Sequence, residues 1–158
     1  MLAIGFYEWM LAFHLLAAFA VASALVLFSV LVFNGRRMTT LEQTRTLFRV
    51  APVGSVLIGA GLGLVILFGV ILALDSDTLK IWNGWIIGGI VLWAAFAEVG
   101  RRSGAYYTDI QKLAESSDEG KEAEVLARLQ APTGVTLHLV LIAIFVLLLI
   151  DMIYKPGA

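Results

Sequence analysis

The chain has 158 residues, of which 60% are hydrophobic, with a formal net charge of −1 and no cysteine. Its mean hydropathy of +0.92 and its apolar share exclude an ordinary soluble domain, in which about 45–50% of residues are apolar. The near-neutral charge provides no field that would attract nucleic acid. The lack of cysteine excludes disulfides, thiolate metal sites and cysteine nucleophiles.

Four long apolar blocks predict four membrane-spanning helices. A bilayer core about 30 Å thick requires about 20 mainly apolar residues in helical form. Because the blocks are continuously apolar and do not alternate with polar residues, helices are favoured over barrel strands. We predict a single transmembrane domain, an all-α up-down four-helix bundle, with spans at residues 7–33, 50–74, 81–99 and 133–154.

The basic residues predict the orientation of the bundle. Nine of the eleven lie in two loops on the same side, residues 34–49 and 100–132, and the other two are Lys80 and Lys155. Since loops rich in Lys and Arg face the cytoplasm, both long loops are predicted to be cytoplasmic and both termini to lie outside. Apolar residues at helical spacing in the second loop predict two short amphipathic helices that separate near Gly120.

Small residues recur at helix-packing spacing in two spans. Gly59 and Gly63 form a GxxxG pair in the second span, and Gly84 and Gly88 form another in the third. Such pairs let helix backbones approach closely in lipid, where hydrophobicity alone drives little association. Two interpretations remain open: these glycines pack the bundle itself, or they form a contact with a second copy or another membrane subunit.

Ionisable side chains inside a membrane span are functional candidates, because their insertion is costly. Glu98 precedes Arg101 and Arg102 by three and four residues, and Asp151 precedes Lys155 by four. Residues at these spacings share one face of a helix. The sequence therefore predicts a local ion pair for each carboxylate.

The two histidines, His14 and His138, both lie in apolar spans. At 1.5 Å per residue, His14 is about 9 Å from the outer boundary and His138 about 7 Å from the inner one. In a core of about 30 Å, their levels then differ by about 14 Å. This separation disfavours a single haem ligated by both rings.

Two smaller constellations follow from these depths. On the outer half, Met10 and His14 share a face of the first span, and Asp151 and Met152 end the fourth; a Met and His set suits copper(I) or haem b. On the inner half, His138 and Glu98 lie at similar depth. They are predicted either to form a proton-carrying dyad or to satisfy each other structurally.

The chain resembles a bacterial family of four-helix integral membrane proteins of unknown function that is distantly similar to CopD-type copper-resistance membrane proteins. The resemblance rests on "LAFHLLAAFAVASALVLF", the arginine-rich "NGRR", the glycine-rich second span and the closing "IDMIYKPGA". It implies an up-down four-helix bundle in the inner membrane of a bacterium. It also implies that the first-helix histidine, His14, binds haem or copper or handles protons.

Three functions remain open from the sequence. The first is a non-enzymatic subunit or assembly factor of a membrane complex, which fits a small polar inventory without a complete catalytic set. The second is a haem b or copper protein that uses His14, with Met10 or Met152. The third is a small transporter or proton-path protein with a polar path through the bundle, made of His14, His138, Glu98 and Asp151.

Overall fold

The computed structural model describes residues 5–75, 82–116 and 119–156. Four of its helices are long and apolar enough to cross a membrane, so the prediction of an all-α four-helix bundle is confirmed and the chain is a polytopic membrane protein. Ile81, the predicted start of the third span, and Lys80 lie outside the described residues. The helices are α1 (Phe6–Gly35), α2 (Leu41–Phe48), α3 (Ala51–Asp75), α4 (Gly84–Ser116), α5 (Glu122–Gln130) and α6 (Pro132–Tyr154), with a 3-10 turn at Glu119–Lys121.

The helix ends have local chemical causes. Thr40 caps α2 by accepting a hydrogen bond from the Gln43 backbone N–H at 3.3 Å, which satisfies one of the free donors of the first turn. Pro52 and Pro132 stand in the first turns of α3 and α6, where a missing N–H is harmless. Lys155 ends α6 in a left-handed conformation with φ 43°.

The third membrane helix is much longer than its apolar block. The sequence predicts the span to end at residue 99, yet α4 continues without interruption to Ser116. Ion pairs from Glu98 to Arg101 and Arg102 fall across this boundary, at 2.9 and 2.7 Å. The first of the two predicted amphipathic helices is therefore the end of α4, and α5 is the second.

The four spanning helices pack mainly as two antiparallel pairs, α1 with α3 and α4 with α6. Side chains from all four helices meet in one central cluster, in which Phe96 is fully buried. Away from the loops, α3 also contacts α4 through Ala73 against Trp85 and Ile86. Nearer the middle of the span, Trp93 Nε1 donates to Leu62 O at 3.1 Å.

A second cluster lies on the loop side, outside the apolar blocks. There α2 and α5 cover the end of α4, with a core of Phe48, Ile110, Ala114, Val125 and Leu129. Polar bonds fix the edges of this cluster: Arg45 Nε donates to Ala114 O at 2.9 Å, and the Leu41 N–H donates to a Glu122 carboxylate oxygen at 2.8 Å. The loops thus form a folded cap joined directly to α4.

Candidate functional sites

His14 lies in the packed seam between α1 and α3. Its Nδ1 is 3.0 Å from Val65 O, and since a carbonyl oxygen can only accept, Nδ1 carries the proton. In the neutral ring, Nε2 is then left with a free lone pair. Gly69 makes room for the ring, because a Cβ at that position would lie 3.2 Å from His14 Cε1.

His138 is buried near the loop-side end of the bundle, with only 2% of its surface exposed. Ser29 Oγ donates its one proton to Leu25 O at 2.8 Å, so it accepts from His138 Nε2 at 2.7 Å. The ring also meets Phe33 edge-on, with centroids 6.4 Å apart. This interaction joins α6 to α1.

The two histidines occupy different levels of the bundle. His138 bonds to Ser29, which lies fifteen residues after His14 on the same helix, a distance of about 22 Å along the axis. One iron could not bind both rings at this separation. No group of three or more His, Asp or Glu side chains within the described ranges is arranged to hold a metal ion.

The predicted set of Met10, His14, Asp151 and Met152 is divided between two helix pairs. His14 contacts α3, whereas the Asp151 carboxylate lies against Gly88 and Gly89 of α4, and the Met152 methyl group packs on Gly89. Met10 lies one turn before His14 on α1. In the described part of the chain, no hydrogen bond joins His14 to Asp151 or to either methionine.

The predicted ion pair between Asp151 and Lys155 is wrong. Lys155 ends the helix in a left-handed conformation, with its backbone N–H still bonded to Asp151 O at 2.9 Å, and its ammonium lies 5.4 Å from the centre of the Trp85 ring. Asp151 Oδ2 and Trp85 Nε1 are buried without a hydrogen-bond partner among the described residues. Asp151 is therefore a polar group held against a glycine surface.

Glu98 forms the local pairs that its spacing predicts. Its carboxylate accepts from Arg101 and from Arg102, and it remains 44% exposed. It forms no hydrogen bond to His138, whose Nε2 bonds to Ser29. These contacts do not include the predicted pair of His138 and Glu98.

The glycines divide in a way that the sequence does not indicate. A Cβ on Gly61 would lie 2.7 Å from Val21 Cγ2, and one on Gly54 would lie 2.9 Å from the Phe28 ring. Side chains of α1 therefore occupy the space beside both glycines. In contrast, a Cβ on Gly59 or Gly63 would meet nothing within 4 Å. The GxxxG pair on α3 therefore faces away from the bundle.

The second pair of glycines, Gly84 and Gly88, packs within the bundle. A Cβ on Gly88 would lie 3.2 Å from Asp151 Oδ1, and one on Gly84 would lie 3.5 Å from Pro156 O. Both positions thus face the end of α6 or the turn that follows it. Gly84 and Gly88 therefore have neighbours within the bundle, unlike Gly59 and Gly63.

The sequence did not indicate the hydrogen-bond partners of the two histidines. Ser29 is 109 residues from His138 and Val65 is 51 residues from His14, so only the tertiary fold brings each pair together. For Ser29 a signal existed, since a hydroxyl inside an apolar span needs a partner. No protein-family model, no curated protein and no solved structure matches this chain.

Proposed function

We propose that this chain is a non-enzymatic subunit or accessory factor of a membrane complex, and that it binds a second membrane helix through the outer face of α3. The observation that supports this proposal is the open space above Gly59 and Gly63, where a Cβ would meet nothing within 4 Å. A GxxxG pair turned toward lipid offers a groove in which another helix backbone can approach closely.

The residues around this groove support the same function. Val56, Leu67 and Val70 are 68%, 52% and 45% exposed, and they lie along the same side of α3 as the two glycines, at spacings of three and four residues. Their side chains form ridges beside the groove above Gly59 and Gly63. Ridges that pack into the grooves of a neighbour are the usual geometry of helix–helix contacts.

Cysteine cross-linking tests this proposal, and the chain has no native cysteine. Val56→Cys should give a cross-linked product, with a second copy or with another subunit, in the membranes of cells that express the full chain. The matched control is Val30→Cys on α1, because Val30 is also exposed and lies as far from the loop end of its helix as Val56 does.

Two results would decide the question. If the groove carries the contact, Gly59→Ile together with Gly63→Ile in the Val56→Cys background should remove the product while leaving the helical content unchanged. Equal cross-linking of Val56→Cys and Val30→Cys would indicate random collision, and the proposed contact would then be rejected.

A second candidate function rests on His14. Because its Nδ1–H donates to Val65 O at 3.0 Å, Nε2 keeps the lone pair that binds a metal, and a backbone bond of this kind commonly orients a ligand histidine. Haem b or copper would then bind through His14, with Met10, one turn before it on α1, as the further ligand; Met152 lies on the other helix pair. The visible spectrum and copper content of the purified protein test this: neither a Soret band nor copper, or equal loading of His14→Ala, rejects it.

A further inference from the structure

A cavity of about 570 Å³ lies between α3 and α4 on the loop side of the bundle. Its volume falls within the range of roughly 300–1,000 Å³ that small-molecule sites occupy. α3 forms one wall from Ala51 to Leu62, α4 forms the opposite wall from Ala97 to Gln111, and His138 of α6 also lines the space.

The cavity exists because small residues line both walls. α4 presents Ala97, Gly100 and Gly104 to it, and α3 presents Ala51 and Ser55. A Cβ on Gly104 would meet nothing within 4 Å.

Contacts further out keep the two walls in place. Trp93 of α4 donates to the backbone of Leu62, and Ala73 packs against Trp85 and Ile86. Toward the loops from these contacts, the cavity separates the side chains of α3 and α4.

The lining changes in character along the length of the cavity. Ile58, Leu62 and Leu141 surround the end toward the middle of the membrane, whereas at the loop-side end the polar Thr108 and Gln111 stand beside the apolar Leu47, Phe48 and Leu129. The α4 wall spans the fifteen residues from Ala97 to Gln111, a length of about 21 Å. A long, mainly apolar space with a few polar groups toward the loops fits an extended amphiphile better than a compact polar ligand.

The cavity is accessible from the side of the bundle. Pro52 and Ser55 on α3, and Gly104 and Thr108 on α4, line it and are exposed. Pro52 and Ser55 lie in the apolar block of α3, so their exposed faces meet lipid, and Gly104 follows the apolar block of α4 by five residues, at the level of the headgroup layer. A lipid molecule can reach the cavity laterally without crossing an aqueous phase.

The charge beside the opening is positive. Arg101 lines the cavity, and Arg101 and Arg102 share the single carboxylate of Glu98. Two guanidinium groups against one carboxylate leave a net charge of +1 at the level where a lipid headgroup would lie. This charge favours an anionic headgroup over a zwitterionic one.

We propose that this cavity binds one acyl chain of an anionic lipid, with the chain directed toward Leu62 and the headgroup beside Arg101. The site is separate from the outward face at Gly59 and Gly63. Loss of lipid binding would therefore leave the cross-linking result unchanged, and the two proposals can fail independently.

Native mass spectrometry of the purified full chain tests the proposal with two probes that have identical acyl chains, phosphatidylglycerol and phosphatidylcholine. One phosphatidylglycerol should bind per chain, about tenfold more tightly than phosphatidylcholine, a difference of ~1.4 kcal/mol. Inorganic phosphate should not displace it, because a free anion lacks the chain that fills the apolar end.

Variants separate the chain from the headgroup. Gly104→Phe and Ser55→Leu fill the cavity from opposite walls, so each should reduce binding of both lipids, whereas Ala105→Phe, on an exposed neighbouring position that does not line the cavity, should not. Arg101→Gln should remove only the preference for phosphatidylglycerol. Arg102→Gln lowers the net charge by the same amount but leaves the cavity-lining Arg101 in place, so it should weaken the preference less than Arg101→Gln does.

Circular dichroism confirms that each variant is folded before its lipid binding is compared. Equal affinity of the native chain for the two lipids would overturn the role of the charge. Binding that survives in both folded variants, Gly104→Phe and Ser55→Leu, would overturn the cavity as the site.

Discussion

α3 has one side closed by α1 and one side that borders a cavity, and three of its glycines lie on the closed side. Toward α1, Gly54, Gly61 and Gly69 are covered by the side chains of Phe28, Val21 and His14. Toward the loop-side half of α4, the helix borders a cavity of about 570 Å³.

The spacing explains which glycines are used inside the bundle. Gly54, Gly61 and Gly69 are seven and eight residues apart, so they remain on one face over two turns at a time. The GxxxG pair at Gly59 and Gly63 lies on another face. A small-residue motif therefore identifies a helix surface suited to close contact, but the partner is set by the rest of the fold.

Gly61→Leu should have the largest effect on this contrast. A Cβ there would lie 2.7 Å from Val21 Cγ2 and 3.1 Å from Ala17 O, and the backbone oxygen cannot move aside without shifting α1. Overpacking of this kind costs about 1–3 kcal/mol or more. Denaturant unfolding in mixed micelles measures the loss, with Gly63→Leu as the control; equal stability of the two variants would contradict the closed side.

Ser29→Ala should have the next largest effect. It leaves Nε2 of the buried His138 without the partner now at 2.7 Å, and an unsatisfied buried group costs about 1–3 kcal/mol. Ser55→Ala is the control, because that exposed hydroxyl bonds only to its own helix at Ala51 O. Similar unfolding free energies for both variants would show that His138 does not depend on Ser29.

Gly69→Ala tests a less rigid part of the closed side. The new methyl group would lie 3.2 Å from His14 Cε1, and an imidazole at the end of a side chain can shift by a few tenths of an ångström. We expect a loss of about 1 kcal/mol as the bond to Val65 O weakens. Unfolding measures the loss, and the NMR shift of the His14 ring should change; an unperturbed ring would argue against this contact.

Gly104→Ala should have the smallest effect, with the opposite sign. Nothing lies within 4 Å of the added Cβ, and alanine favours a helix over glycine by about 0.5–1 kcal/mol. The same unfolding assay should therefore show a slight gain in stability. A loss would mean that the cavity is occupied beside Gly104 on the α4 wall.

The four spans were predictable because an apolar run long enough to cross the bilayer has few alternative structures. The continuation of α4 to Ser116 was not, since its apolar block ends at residue 99 and the remainder is stabilised by α2 and α5 through Ile110 and Ala114. The apolar positions of that loop were identified correctly, but their common core with Phe48 depends on tertiary contacts.

The candidate sites were less predictable than the fold. The ion pairs of Glu98 with Arg101 and Arg102 were predictable from residue spacing along a helix. The partners of His14 and His138 did not, because they lie on other helices. The pair between Asp151 and Lys155 failed for a local reason: a helix spacing was applied across the residue at which α6 ends.

The unbroken length of α4 has a mechanical consequence. Its 33 residues form a rod about 50 Å long, which is anchored to α3 near Trp93 and carries the loop-side cap on Ile110 and Ala114. A small tilt of α4 about the contact at Trp93 would displace its loop-side end, near Ser116, by a larger distance. The cap and the wall of the cavity would then move together, so an event inside the bilayer could be transmitted directly to the loops.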